Sequence, residues 1–147
     1  MNKERQLQYD RAYMKMAYAM SELSYAIRNK VGCIIVSKEG QVISQGFNGT
    51  PSGYDNCCEY TDENGNLVTK KEVLHAESNA ISKCAKQIST TENATLYVTL
   101  SPCFDCAKII IQSGIKRVCY CELYRDDSGL KFLEENGIKT DHIILYE

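Results

Sequence analysis

The sequence predicts an α/β fold, a three-layer α/β/α sandwich around a mixed five-stranded sheet, carried by one domain spanning residues 1–147. Three observations lead there. A chain of 147 residues is long enough to bury one real core without staples. Apolar residues make up 44% and charged residues 24%, a globular balance. After an opening helix and hairpin, strand-like and helix-like stretches alternate to the end. That is the pattern of parallel strands joined by helical crossovers.

Residues 3–28 read as a helix. Leu7, Ala12, Met16, Ala19, Leu23 and Ile27 recur at three- to five-residue steps, with no Pro or Gly between them. Residues 31–36 are apolar and β-branched, Lys38-Glu39-Gly40 turns, and residues 41–46 return, so this is a hairpin. Residues 47–74 read as an irregular loop, with turn signals at Asn48-Gly49-Thr50-Pro51-Ser52-Gly53 and Asn64-Gly65. Loops of such length inside a compact domain usually carry function. A helix over 75–88, a strand over 94–100 and a helix over 103–113 closed by Gly114 follow. Then come a strand over 116–121, a helix over 127–136 closed by Gly137, and a strand over 141–146. The hairpin supplies one antiparallel pair, and the helix-separated strands are expected to pair in parallel.

Composition narrows the function. The net charge of −2 lacks the basic excess that neutralises several phosphates, so a polynucleotide partner is not expected. One or two arginines gripping a small phosphorylated ligand remain compatible with it. No apolar run approaches the roughly 20 residues of a membrane span, and the N-terminus has no apolar signal region. The expectation is a cytoplasmic protein without a membrane partner. In that reducing compartment the eight cysteines are metal ligands or buried hydrophobes rather than disulfides. Cys33, Cys119 and Cys121 sit in apolar strand runs and read as core. Cys57-Cys58 in the long loop are too few for a second, structural zinc, and His142 reads as an ordinary strand residue.

Two segments carry chemistry. His75-Ala76-Glu77 opens one helix, and Pro102-Cys103-Phe104-Asp105-Cys106 opens the next after a strand. Cys103 and Cys106, one turn apart, can reach one metal ion together with His75. Zinc takes imidazole and thiolate, and a catalytic zinc keeps three protein ligands and one open position. A helix N-terminus favours thiolate at both cysteines. Glu77, two residues past His75, points about 200° away on a helix and does not share the metal. It stands instead as a general acid–base group that takes a proton from water and hands it on. The order H-x-E…P-C-x-x-C is the signature of zinc deaminases.

With these segments in view, nearly the whole chain resembles the deoxycytidylate (dCMP) deaminase family of the cytidine deaminase-like fold. The zinc segments are shared among several deaminase families. Two more stretches carry the closer likeness: Arg28-Asn29-Lys30-Val31-Gly32-Cys33-Ile34-Ile35-Val36, and Gly46-Phe47-Asn48-Gly49-Thr50-Pro51-Ser52-Gly53. The resemblance implies hydrolysis of dCMP to dUMP and ammonia, which feeds dTMP synthesis. It implies zinc at His75, Cys103 and Cys106, and Glu77 as the catalytic acid–base. For substrate it implies Asn48 at a sugar hydroxyl, the Ala76 peptide N–H at O2 and the Ser101 carbonyl at the exocyclic amine. Arg28 is placed at the phosphate. Tyr124 and Arg125 follow the fourth main strand near its C-terminal end, where ligands of open α/β sheets gather. Tyr124 is accordingly placed at base or sugar and Arg125 near the 5′-phosphate. Family members are often activated by dCTP and inhibited by dTTP, with Mg²⁺ on the triphosphate. That implies an effector site at Asn48, Gly49, Thr50 and Gly53, although Ser52 stands where many relatives carry a basic residue. A hexamer is implied too, and the first helix, with several of the ten tyrosines, can face a partner.

Three rivals share part of this pattern. A base deaminase of tRNA or single-stranded DNA would use the same zinc chemistry but needs a basic, aromatic surface. A free-nucleoside deaminase usually has Cys where His75 stands and lacks a phosphate-gripping arginine. A zinc-stabilised interaction module would want a fourth protein ligand and would not need Glu77.

Overall fold

The computed structural model describes residues 1–146. Its main sheet has the order β2-β1-β5-β6-β7, with a separate two-stranded sheet β3-β4. In chain order the elements are α1 (Lys3–Ser21), β1 (Gly32–Val36), β2 (Val42–Phe47), β3 (Glu59–Thr61), β4 (Leu67–Thr69) and α2 (Ala76–Cys84). They continue with β5 (Thr95–Leu100), α3 (Phe104–Gln112), β6 (Arg117–Glu122), α4 (Ser128–Glu135) and β7 (Lys139–His142). The expected three-layer sandwich is what forms.

One face of the sheet buries Met14 and Ala17 of α1 against Ile34, Val36, Tyr97 and Cys119. The other buries Ala76, Ala80, Ala107, Ile110, Leu130 and Leu133 of α2, α3 and α4 against Cys33, Ile35, Leu96, Val98 and Val118. All five residues of β1 are buried because helices cover both its faces. Each fully buried aliphatic side chain contributes about 1.5–3 kcal/mol. Cys33 and Cys119 are core, as expected, while Cys121 is half-buried.

Four elements differ from the sequence reading. The first helix begins where expected, the Asn2 side chain accepting from the Arg5 N–H at 2.9 Å, but ends at Ser21 rather than Arg28. Beyond it, side chains draw the backbone off the helix. Ser24 Oγ donates to the Asn48 carbonyl at 2.7 Å, and Glu59 accepts from the Ile27 N–H at 2.8 Å. Leu23 and Ile27, which continue the periodicity, are exposed. The second helix likewise stops at Cys84, leaving Ile88 in solvent. The long loop is not wholly irregular, since it holds the β3-β4 hairpin, turning through Asn64-Gly65 with Gly65 at φ +78. The last strand starts two residues earlier than expected, at Lys139. There Arg117 pairs with Lys139, and the Arg117 Nε reaches Asp141 Oδ2 at 2.8 Å, fixing the register.

The topology also holds two antiparallel pairs in the main sheet where one was expected. β1 runs antiparallel to both β2 and β5, while β5-β6 and β6-β7 are parallel. The crossover through α2 still joins two strands of like direction, β2 and β5, but β1 is inserted between them. The consequence is functional. The start of β1, the end of β2 and the ends of β5 and β6 all come to the same edge of the sheet. Gly32 sits opposite Phe47, and Leu100 opposite Glu122.

Candidate active site

That edge carries the site. His75 is the N-cap residue of α2 and Cys103 that of α3, and neither side chain caps its own helix. Both are therefore available to a ligand in front of two helix N-termini. Cys106 is buried one turn into α3. His75 Nδ1 lies 3.3 Å from Cys106 Sγ and 3.5 Å from Cys103 Sγ. The three donor atoms lie within 4.8 Å of one another, and among the described residues no other His/Cys/Asp/Glu group gathers in this way.

The electrostatics suit a cation. The Cys106 hydrogen bond, with His75 beside it, draws the Cys103 thiol down to about 4. Cys106, as the donor of that pair and buried, is pushed up, and the Cys103 contact raises His75. Two thiols and an imidazole thus compete for protons at contact distance. A divalent ion that takes both imidazole and thiolate satisfies all three at once. Glu77 sits beside them, 4% exposed. Burial pushes its carboxyl up to about 7, where it can exchange a proton near neutral pH.

A cavity of about 170 Å³ opens in front of this group. His75, Ala76, Glu77, Ser101 and Cys103 line it, together with Arg28, Asn48 and Tyr124. Of the residues selected for metal, catalysis and substrate, the structure brings all but Cys106 and Arg125 to the lining of one space, and the other effector-loop residues, Gly49, Thr50 and Gly53, are not part of that lining. Arg125 is exposed, its guanidinium 6.0 Å from the Tyr124 ring centre. Asn48 accepts from the Val31 N–H at 2.9 Å and donates to the Asn29 carbonyl at 2.7 Å. One amide hydrogen and further lone-pair capacity remain for a ligand. Ser101 Oγ accepts from the Tyr124 N–H at 2.7 Å, and its own N–H donates to the Glu122 carbonyl at 2.8 Å.

One glycine of the loop is tied next to the site. Gly49 and Leu74 exchange backbone hydrogen bonds of 3.1 and 2.7 Å, directly before His75. Thr50 Oγ1 donates to the Asp55 carbonyl at 2.8 Å, and Gly53 turns at φ +91. His142 stays away from the site at the end of β7, stacked 5.2 Å from Tyr120. Cys57 is exposed and Cys58 buried, with no third ligand gathered beside them among the described residues.

The sequence reading missed several wall residues. Glu59, Thr69, Val73 and Asn29 line the cavity. Glu59 and Thr69 come from the hairpin hidden in the long loop, where runs of three residues are too short to show a period. Asn79 donates to the Phe47 carbonyl at 2.9 Å and clamps the first turn of α2 to the end of β2.

Two thiols and an imidazole at paired helix ends, with a buried carboxylate at their side, define a zinc-dependent deaminase. The model of the cytidine and deoxycytidylate deaminase zinc-binding region matches residues 7–122. The chain belongs to the cytidine and deoxycytidylate deaminase family and is an enzyme of that class. It is 39% identical to the deoxycytidylate deaminase of Enterobacteria phage T4, over 76% of this chain and 76% of the relative. The deoxycytidylate deaminase of Saccharomyces cerevisiae is 38% identical, over 88% of this chain and 43% of that longer relative. Among solved structures, dCMP deaminase from cyanophage S-TIM5 in complex with dCMP and dUMP superposes with a TM-score of 0.85. It is 41% identical and covers 97% of this chain and 98% of that one. No described helix is long and apolar enough to cross a membrane.

Proposed function

We propose that the protein hydrolyses dCMP to dUMP and ammonia, the product then feeding dTMP synthesis. One observation carries this reading: a single cavity has Glu77 with the His75 and Cys103 donors on its wall and Arg28 on the same wall. A reacting base and a phosphate are thereby served by one space. The S-TIM5 relative, solved with dCMP and dUMP, supports the same substrate.

His75, Cys103 and Cys106 hold zinc, which when bound supplies Lewis acidity and lowers the pKa of a water to roughly 7. Glu77 takes a proton from the attacking water and delivers it to N3 of cytosine. An O–C4 bond forms; Glu77 then carries the remaining proton of the new C4 hydroxyl to the amino group, the C4–N4 bond breaks as the C4=O bond forms, and ammonia leaves. The Ala76 peptide N–H holds O2, and the Ser101 carbonyl receives the exocyclic amine. Asn48 takes a sugar hydroxyl, Tyr124 packs on base or sugar, and Arg28 and Arg125 take the 5′-phosphate. Arg28 suits that role because, among the described residues, it makes no ion pair and uses one donor, Nη1, on Thr69 Oγ1 at 3.2 Å. Its remaining donors match a phosphate bidentately.

The reading extends to regulation: dCTP activates and dTTP inhibits, each with Mg²⁺, at the loop of Asn48, Gly49, Thr50 and Gly53. The Gly49–Leu74 bridge supports it, since a ligand on the loop would act one residue from His75. A cytoplasmic homo-hexamer completes the proposal, on the strength of the family resemblance.

Ammonia release from dCMP, dCTP and deoxycytidine, each with and without dTTP, tests it. Release from dCMP well above the other two, reduced by dTTP, is expected. No release from any of them overturns the assignment. Equal rates with deoxycytidine and dCMP would remove the phosphate-binding role of the arginines.

A further inference from the structure

We infer that Glu59 is the positioning residue that fixes Arg28 for the phosphate of the substrate. The inference rests on the proposed reading that Arg28 takes the 5′-phosphate.

Glu59 is a carboxylate only 6% exposed on the cavity wall, and it makes no ion pair among the described residues. A buried carboxylate without a cation, in a wall that receives an anion, is a liability unless it has its own donors. Its donors are backbone. Glu59 Oε2 accepts from the Ile27 N–H at 2.8 Å and from the Arg28 N–H at 3.2 Å. Successive peptide N–H groups converging on one oxygen are an anion-holding arrangement, and such charge-assisted bonds are stronger than neutral ones.

The segment they hold needs holding. Residues 24–31 form neither helix nor strand, so no ladder fixes the backbone from which Arg28 projects. Asn48 anchors its far end at Asn29 and Val31, and Glu59 anchors the near end at Ile27 and Arg28. The side chain is steered from the same place. Glu59 is paired with Thr69 across the β3-β4 hairpin, and the Thr69 hydroxyl accepts from Arg28 Nη1 at 3.2 Å. One rung of the hairpin therefore sets both the backbone and the guanidinium of Arg28. A fixed arginine loses less freedom on binding, so the benefit appears in substrate affinity and in preference for the phosphorylated substrate.

Glu59→Ala, Glu59→Gln, Thr69→Val and Arg28→Ala are made in the full chain and assayed as zinc enzymes with dCMP and deoxycytidine. Glu59→Ala is expected to raise KM for dCMP about tenfold, more than it lowers kcat, and to cut the dCMP-over-deoxycytidine ratio of kcat/KM by about the same factor. Glu59→Gln, whose amide oxygen accepts the same two N–H groups, is expected to restore most of that ratio. Thr69→Val should shift the ratio in the same direction by a smaller factor, and this arm together with Glu59→Gln decides the matter if Glu59→Ala does not fold. A merely structural role would lower kcat for both substrates alike and leave their ratio in place, which overturns the inference. Failure of Gln to rescue also overturns it. Loss of the dCMP preference in Arg28→Ala with none in the Glu59 and Thr69 variants sinks this inference alone. No loss in Arg28→Ala sinks the phosphate reading itself, and this inference with it.

Discussion

The Ser101 hydroxyl accepts a 2.7 Å hydrogen bond from the backbone N–H of Tyr124. It joins the segment leading to Cys103 and Cys106 to the segment carrying Tyr124, and both Ser101 and Tyr124 line the cavity. The parallel pairing of β5 and β6 makes this contact, because it brings the two strand ends side by side. Ser101→Ala removes the acceptor and leaves the Tyr124 N–H without its partner, a cost of about 1–3 kcal/mol. The expected variant binds zinc normally but shows a higher KM for dCMP, with Tm lowered by a few degrees. Steady-state kinetics with metal analysis check this, and an unchanged KM would remove Tyr124 from the substrate wall.

The proposed reading makes Glu77 the proton carrier, and it stands outside the His75–Cys103–Cys106 donor group. Glu77→Ala should keep zinc while turnover falls by about 10²- to 10⁴-fold. Cys103→Ser and His75→Ala should instead lose metal, together with some fold stability, since metal binding is coupled to folding. Zinc content by atomic absorption beside ammonia release separates the two classes. Full zinc in either ligand variant contradicts the ligand set.

Gly46 of β2 packs directly under α2. A Cβ there would stand 2.7 Å from the Ala76 carbonyl oxygen and 2.8 Å from the Ala80 nitrogen, both rigid backbone. Gly46→Ala must push away the helix that presents His75 and Glu77. Overpacking of this kind costs about 1–3 kcal/mol. The measurable outcome is a lower Tm together with weaker zinc retention under a chelator. A variant that melts like the parent and holds zinc as well would show that α2 yields freely.

Under the sheet, Arg117 grips Asp10 with two bonds of 2.9 Å, and the Tyr97 hydroxyl donates to the same carboxylate at 2.6 Å. Burial opposes the charge of Asp10, but the hydrogen bonds from Arg117, Tyr97 and Gln6 outweigh it and hold the carboxyl below its usual value of 3.8. A depressed carboxyl stabilises the fold fully above the unfolded pKa and loses that contribution as pH falls through the folded one. Asp10→Asn should therefore cost about 3 kcal/mol at neutral pH. Its deficit against the parent should shrink below about pH 4, as the parent's own Asp10 protonates. Urea unfolding across pH 7 to 3 measures the gap; a deficit that widens on acidification would refute the account.

Much of the fold and of the site was legible in the chain itself. Both zinc segments and Glu77 were readable because their information is local. Spacing within one or two helical turns decides which side chains share a face, and a strand or loop running into a helix decides which residues stand at its N-terminus. The alternation of strands and helices likewise gave the sandwich. The end of α1 did not follow from periodicity, because Glu59 takes the Ile27 and Arg28 N–H groups and the Ser24 hydroxyl ties to the Asn48 carbonyl, both partners being distant in sequence. Nor did the start of β7, which its partner β6 sets through Arg117 and Asp141.

The amino-acid sequence by itself picked out the groups that the proposed chemistry uses: which donors gather where a metal could sit, which carboxylate stands beside them, and which glycine-rich loop lies near. Only the tertiary structure decided the shape of the space they serve. Inserting β1 between β2 and β5 brought Arg28, Asn48, Ser101 and Tyr124 to one edge of the sheet, and the hairpin in the long loop supplied Glu59 and Thr69. The physical reason is range. Helical turns and caps act over a few residues, whereas a cavity wall is set by strand order and by hydrogen bonds between residues about 30 or more apart, such as Ile27 to Glu59 and Arg28 to Thr69.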